Sequence, residues 1–325
     1  MGDINSPRKG TIQFWPRKRA RRDYPRIKSK PKIKHTKLLG FAGYKVGMTH
    51  VLIDDTRPTS MTKNETISWP VTVIECPPMK AYSIRFYKQT TDGLKLISEI
   101  FSKNITKEFS RKTLPGKKEG KEPGKEPEDF DEIRAAIYTQ PKTIGLKKTP
   151  ELFEIGIGGN DKKQQVEYAK GLLDKEIKAS DVFKTGQFVD THAVTKGKGF
   201  QGTVKRFGVR IRQHKAEKTK RGIASLGSWK PKRVDFRVAQ AGKTGFNQRV
   251  EYNKLLVKIG SDTKEINPKG GFKQYGIVNG DYILIKGSVG GIQKRLIIMT
   301  EAIRPKLGPQ QLEISYTSLE SKQGK

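Results

Sequence analysis

The stretch IVNGDYILIKGSV, residues 277–289, decides how this chain is read. Asn279-Gly280 is the dipeptide most suited to a two-residue hairpin turn, because both residues tolerate positive φ. The adjoining YILIK is rich in β-branched and aromatic residues and predicts a strand. Working outward, RLIIMTEAI (295–303) and EYNKLLVKIG (251–260) are strand candidates, and FVDTHAVTK (188–196) alternates as a half-buried strand should. Further back, VTVIEC (71–76) is a buried-strand run stopped by Pro77-Pro78. LLGFAGYKVGMTHVLIDD (38–55) spaces Gly40, Gly43 and Gly47 through apolar residues before a strand-like end. Many strands with Gly-rich turns predict a mainly β body, a barrel or a sandwich, built from residues 38–76 and 181–303.

Between those halves, residues 77–180 read as an α/β insertion. YSIRFYK (82–88) and LKLISEIF (94–101) predict strands around a Thr-Asp-Gly turn at 91–93. Residues 107–129 are low-complexity and mixed in charge, a solvated loop. EDFDEIRAAIY (128–138) predicts a helix, with Phe130, Ile133 and Ile137 on one face and acids in its first turn. ELFEIGI (151–157) returns to strand. DKKQQVEYAKGLLDKEI (161–177) predicts a second helix with Asp161 as N-cap and Val166, Ala169, Leu173 and Ile177 on one face. Residues 304–325 read as a C-terminal tail.

Charge narrows the function. The 325 residues carry 66 Lys+Arg against 33 Asp+Glu, a net +33. Residues 1–37 hold 13 Lys/Arg against Asp3 and Asp23, and residues 196–237 hold 14 against Glu217 and Asp235. Such acid-poor basic stripes are the electrostatic footprint of a nucleic-acid binder, whereas solvated surface normally mixes its signs. The apolar runs exclude a wholly disordered chain. No apolar stretch approaches 18 residues and the basic N-terminus has no apolar core, so neither a membrane span nor a signal peptide is expected. Cys76 is the single cysteine, which leaves no disulfide framework and no cysteine-based zinc site. The expected setting is the cytoplasm.

The basic windows supply the candidate contacts. Residues 1–37 read as an extended arm, its regular structure broken by Pro7, Pro16, Pro25 and Pro31. Its densest cluster is Arg17, Lys18, Arg19, Arg21 and Arg22, beside Phe14 and Trp15. Gly197-Lys198-Gly199-Phe200-Gln201-Gly202 matches G-x-G-x-x-G, but residues 203–215 are basic where a dinucleotide site needs an apolar helix, and no suitable acid stands downstream. The motif reads instead as a turn whose Gly197 and Gly199 let backbone approach a phosphate, with Lys196 and Lys198 as point charges. A nucleotide-dependent enzyme built on this motif is the weakest alternative. The next stretch carries Lys205, Arg206, Arg210, Arg212, Lys215, Lys218, Lys220 and Arg221, as two basic strands or an extended arm. It leads to Trp229, flanked by Gly227-Ser228 and Lys230-Pro231, then to Lys232, Arg233 and Arg237. A tryptophan on such a turn can stack on a base or fold back as a plug. Lys243 and Arg249 close the segment. His35, His50, His192 and His214 show no metal-ligand spacing, and carboxylates are scarce where the charge lies, so no cofactor, metal or catalytic constellation is expected.

Five ordered motifs then carry a family resemblance: LGFAGYKVGMT (39–49), THAVTKGKGFQGTVKRFG (191–208), KTKRGIASLGSWKP (218–231), RVAQAGKTGFNQR (237–249) and GGF…YGIVNGDYILIKGSV (270–289). The chain resembles the universal large-subunit ribosomal protein three family, in its archaeal and eukaryotic branch. The resemblance implies a six-stranded translation-protein-type β-barrel with an α/β insertion, an extended N-terminal arm and a long basic loop, about 196–249, tipped by a tryptophan. By position that tip is Trp229. It implies a non-catalytic, early-assembling protein of the ribosome whose partners are large-subunit ribosomal RNA and neighbouring large-subunit proteins, with no membrane and no small-molecule substrate. Where eukaryotic relatives carry a modifiable histidine before Arg-Gly, this chain has Lys220, so that modification is not carried over. A non-ribosomal RNA- or DNA-binding architectural protein is the alternative that composition alone leaves open.

Overall fold

In the computed structural model the described residues are 8–57, 59–103, 105–113, 127, 129–173, 175–216, 218–230, 232–305, 308 and 312–321. Strands hold 36% of the described residues and helices 10%, a mainly β structure. The strands are β1 (Gly40–Asp54), β2 (Thr66–Glu75), β3 (Met79–Thr90), β4 (Gly93–Phe101), β5 (Glu132–Thr139), β6 (Leu152–Gly156) and β7 (Glu176–Ile177), then β8 (Phe188–Val194), β9 (Phe200–Gln201), β10 (Gly242–Lys243), β11 (Gln248–Gly260), β12 (Tyr282–Lys286), β13 (Leu296–Glu301) and β14 (Glu313–Thr317). The α-helices are α1 (Lys162–Leu173), α2 (Ala179–Val182) and α3 (Thr203–Phe207), and short 3-10 turns lie at Thr263–Glu265 and at Lys107–Arg111, where the segment read as solvated loop buries Phe109. The chain divides into two compact units, a larger one of Asp23–Ala193 with Arg249–Lys325 and a smaller one of Met1–Arg22 with Val194–Gln248.

In the larger unit one sheet runs β13-β8-β11-β12-β2-β1-β14. A further pairing of β1 with β13 returns the path on itself through six strands, leaving β14 outside the circuit. The length of β1 allows this. Its first residues, Gly40–Tyr44, pair with β13, its last, Val51–Asp54, with β14, and its other edge pairs with β2. A side chain is impossible at Gly43, where a Cβ would lie 2.5 Å from Ile74 Cγ2 and 2.9 Å from the Glu75 carbonyl oxygen. Val46, Val51, Val71, Val73, Val257 and Leu284 form one apolar cluster with Phe272 and Tyr282, all buried. Each such burial contributes about 1.5–3 kcal/mol.

A second sheet, β4-β3-β5-β6 with β7 on β3, is built from residues 79–177. The turn expected at 91–93 is there: Thr90 pairs with Gly93, whose φ is +114°. The helix expected over 128–138 is not. Residues 132–139 form β5, held between β3 and β6. Both faces of β5 are covered, with Ile133, Ala135, Ala136, Ile137 and Tyr138 each at most 2% exposed. A strand buried on two sides shows no alternation, and its apolar residues then fit a helical spacing by accident. Helix α1 does form. Asp161 caps it, accepting the Lys163 amide at 3.0 Å through its side chain and the Gln165 amide at 3.1 Å through its carbonyl. Ile177, expected on that helix, lies in β7 instead.

Asn279-Gly280 does not turn a hairpin. Strand β12 pairs with β11 and β2, and neither residue of the dipeptide takes positive φ. Both amides donate to Glu75 Oε1 at 2.7 Å, and the Tyr275 hydroxyl donates to Glu75 Oε2. The carboxylate is 1% exposed, so this segment is shaped by a buried acceptor in place of a turn geometry. Strand β14 falls in the segment read as a tail, and α3 in one read as strand or extended arm. Residues 23–37 belong to the larger unit. The Tyr24 hydroxyl donates to the Leu152 carbonyl at 2.8 Å, and Ile27 and Ile33 pack on the core. Lys30 pairs with Glu132, yet burial, and secondarily the nearby Arg134, push its ammonium down to about 7.

Candidate nucleic-acid interface

The smaller unit gathers the charge that the sequence leaves apart. Its two segments hold 22 Lys/Arg against Asp3, Glu217 and Asp235, a net +19 of the chain's +33. A field of one sign attracts a polyanion and repels itself until one binds.

A two-stranded ribbon organises the unit. Strand β9 pairs with β10 antiparallel, Gln201 opposite Gly242 and Phe200 opposite Lys243. The pairing continues beyond the strands. The Lys198 amide donates to the Thr244 carbonyl at 2.9 Å, the Thr244 amide to Gly199 at 2.9 Å, and the Thr195 amide to Asn247 at 3.0 Å. Gly245, at φ +77°, packs directly on Lys196: a Cβ there would lie 2.0 Å from the lysine carbonyl oxygen. The N-terminal cluster docks on this ribbon. The Ala20 amide donates to the Phe246 carbonyl at 2.8 Å, and Asn247 Nδ2 to the Lys18 carbonyl at 2.7 Å. Two basic segments nearly 180 residues apart in sequence thus meet within one unit.

Several candidate cations are engaged by the protein itself. Arg206 Nη1 donates to the Gln240 carbonyl at 2.8 Å and Nε to Lys243 at 3.2 Å, so its guanidinium ties α3 to the segment before β10. Arg17 lies 4.2 Å over the Phe207 ring and donates to the Arg206 carbonyl at 3.1 Å. Arg212 donates to the Ile223 carbonyl. Arg237 grips Asp235 through Nε and Nη2 at 3.1 and 3.0 Å, which holds that carboxyl below its ordinary range. These four arginines shape the loop. By contrast Lys18, Arg19, Arg21, Arg22, Lys196 and Lys198 are exposed or half-buried, as are Lys205, Arg210, Lys215 and Lys218. Lys220, Arg221, Lys230, Lys232, Arg233 and Lys243 are exposed too. Lys218 and Lys232 sit at φ +60° and +61°, left-handed positions that sharpen the path of the loop.

Trp229 is 82% exposed. Gly227, at φ +125°, and a Lys232 amide to Trp229 carbonyl bond of 3.0 Å form its turn, while Ser228 Oγ donates to the Lys230 carbonyl. Arg249 belongs to the larger unit, half-buried, and burial lowers its pKa.

The sequence reading passes over four residues that the geometry makes important. Arg8 donates to the Gly10 and Arg237 carbonyls at 2.6 and 2.5 Å. Phe207 carries the Arg17 and Arg206 guanidiniums, the second at 5.1 Å. Phe246 lies under Arg19 at 5.6 Å, and Phe200 is 74% exposed beside the ribbon glycines. The signal that finds them is aromatic interleaving of a basic stripe, which holds at these rings as much as at Phe14, Trp15 and Trp229. Among the described residues no His/Cys/Asp/Glu group is arranged to hold a metal, and no helix is long and apolar enough to cross a membrane.

Comparison with known proteins agrees with this picture. The family described as ribosomal protein L3 matches residues 1–123 and 125–324. The large ribosomal subunit protein uL3 of Methanobrevibacter smithii is 46% identical over 331 residues, covering 98% of each chain. That of Methanothermobacter thermautotrophicus is 43% identical over 336 residues, covering 100% of each. That of Methanopyrus kandleri is 45% identical, covering 98% of this chain and 91% of its own.

Proposed function

The chain belongs to the ribosomal protein L3 family, and on that premise we propose how its two units serve the ribosome. It is a structural, non-enzymatic constituent of the large ribosomal subunit and resides on cytoplasmic ribosomes. Its partners are ribosomal RNA and neighbouring ribosomal proteins. In this reading the larger unit is a six-stranded barrel of the translation-protein type carrying the insertion of residues 77–180. The smaller unit is the RNA-penetrating part, formed by the N-terminal cluster and a basic loop of about 196–249. Trp229 is the tip of that loop and reaches toward the peptidyl transferase region, and binding occurs early in subunit assembly.

The observation that carries the reading is the convergence of the N-terminal cluster, within residues 1–22, and the second basic window on one acid-poor unit. Phosphate contacts by the exposed lysines and arginines position the protein, and bases meet its aromatic rings. The strand circuit closed by β1 and β13 supports the barrel, and the exposure of Trp229 supports the tip.

Sedimentation tests it. A tagged chain expressed in an archaeal host is expected to travel stoichiometrically with large subunits through a high-salt gradient. Recovery only at the top of the gradient, or spread over bulk RNA and DNA alike, would favour a non-ribosomal architectural protein.

A further inference from the structure

Phe200 is an anomaly in its own strand. It is 74% exposed, the most exposed phenylalanine among the large hydrophobics of the described residues. A lone exposed ring is ordinary on a protein surface. This one is not alone. It stands directly opposite Lys243 in the antiparallel pairing of β9 and β10, so the two side chains are cross-strand neighbours on one face.

Phe200 and Lys243 also border a cleft of about 310 Å³, whose other walls are Arg19, Thr244, Phe246 and the backbone of Gly197, Gly199 and Gly245. The Arg19 guanidinium lies 5.6 Å over the Phe246 ring. Each side of the cleft therefore pairs a ring with a cation. The floor is nearly bare of side chains, and a Cβ on Gly199 would meet nothing within 4 Å. Bare backbone is what lets a flat ligand approach closely. The volume is at the low end of the ~300–1,000 Å³ range of ligand clefts, room for one nucleotide but not for a helix.

We propose that this cleft on the β9–β10 ribbon holds a single unstacked nucleotide of RNA, its base against Phe200 and its phosphate between Arg19 and Lys243. The chemistry is that of single-strand recognition: a sequence-tolerant ring platform with cations tracking the backbone. In a paired A-form helix the base faces are already stacked on one another and cannot lie on Phe200. The ribbon therefore distinguishes a splayed nucleotide from duplex, which a purely electrostatic surface does not. This inference rests on the RNA-binding reading of the smaller unit and adds a subsite to it.

The test uses the full chain with two probes, a short single-stranded oligoribonucleotide and a duplex of equal phosphate number, at salt high enough to suppress bulk electrostatics. Phe200→Ala is expected to weaken single-strand binding about 5- to 150-fold, the loss of one base–aromatic stack, and to leave duplex binding unchanged. Phe200→Tyr is expected to restore the single-strand affinity. In reconstituted large subunits a zero-length photo-cross-link is expected between residue 200 and one nucleotide that is reactive to base-pairing probes. Equal single-strand affinities of Phe200→Ala and the unaltered chain would overturn the proposal, as would a parallel loss on both probes. Either result, with the chain still sedimenting in large subunits, leaves the ribosomal assignment standing and removes only the cleft. Failure to enter subunits at all would instead remove the assignment on which the cleft depends.

Discussion

Gly245 and Lys196 stand so close that a Cβ on the glycine would lie 2.0 Å from the lysine's carbonyl oxygen. That approach, at φ +77°, is what lets the segment before β9 lie along the segment after β10 and bring Lys196, Lys198 and Lys243 to one ribbon. Gly245→Ala is therefore expected to part the ribbon, with faster hydrogen exchange at the Lys198 and Thr244 amides and weaker RNA binding. Gly199→Ala is the control. It has open space at φ +67° and should cost only the left-handed strain, about 1–2 kcal/mol, with the ribbon intact. Equal exchange in the two variants would show that the Gly245 contact does not hold the ribbon.

Two tryptophans give a paired prediction. Trp69 is 6% exposed in the core and Trp229 is 82% exposed on its turn. Trp69→Ala should cost about 3–5 kcal/mol in denaturant unfolding of the free protein. Trp229→Ala should leave that unfolding nearly unchanged and instead alter the chemical reactivity of RNA in mutant subunits. A large stability loss for Trp229→Ala with unaltered RNA would remove the tip assignment.

Salt separates the working cations from the structural ones. Lys232 is exposed, whereas Arg237 is held by Asp235 at 3.0 Å. If Lys232 meets a phosphate, Lys232→Gln should lower the slope of log affinity against log salt by about 1, uniformly over RNA sequences. Arg237→Gln should change the slope less, because a carboxylate already neutralises that arginine in the free protein. Identical slopes for all three proteins would place the phosphate contacts elsewhere.

The fold itself carries a pH dependence. His192 in β8 is 1% exposed, its Nε2 is 3.1 Å from Thr300 Oγ1, and its Nδ1 has no hydrogen-bond partner among the described residues. Burial pushes it down to about 4, against a weaker upward pull from Asp190. The unfolded chain then binds more protons than the folded one between the ordinary histidine value and 4. Stability is fully present above about pH 6.5 and falls through that window by about 3 kcal/mol. Unfolding midpoints measured across pH 4–7 should drop less steeply for His192→Gln. Parallel curves would show that His192 is not the group responsible.

The mainly β character, the hairpin of β3 and β4, the capped start of α1, the two basic windows and the family could all be read from the residues alone. Each of these is written in local chemistry. A Thr-Asp-Gly turn, an Asp before a helix and a run of cations without acids need no distant partner to be read. The turn at Trp229 was legible for the same reason, through Gly227-Ser228 before it and Lys230-Pro231 after it.

Tertiary structure alone decided the rest. Residues 132–139 became β5 because β3 and β6 cover both edges and apolar neighbours cover both faces, which erases the alternation that marks a strand. Asn279-Gly280 was drawn from hairpin geometry by the buried carboxylate of Glu75, some 200 residues earlier in the chain, because an acceptor out of water must be satisfied. The same principle sorted the arginines. Arg206 and Arg212 bond carbonyls of the loop they sit in and Arg17 reaches a carbonyl of that loop from the N-terminal segment, while Arg19 and Lys243 border an open cleft. Composition assigns all of these the same charge. Which of them is left to meet RNA depends on where the folded backbone leaves an unbonded carbonyl within reach, and that is set by contacts between segments far apart in sequence.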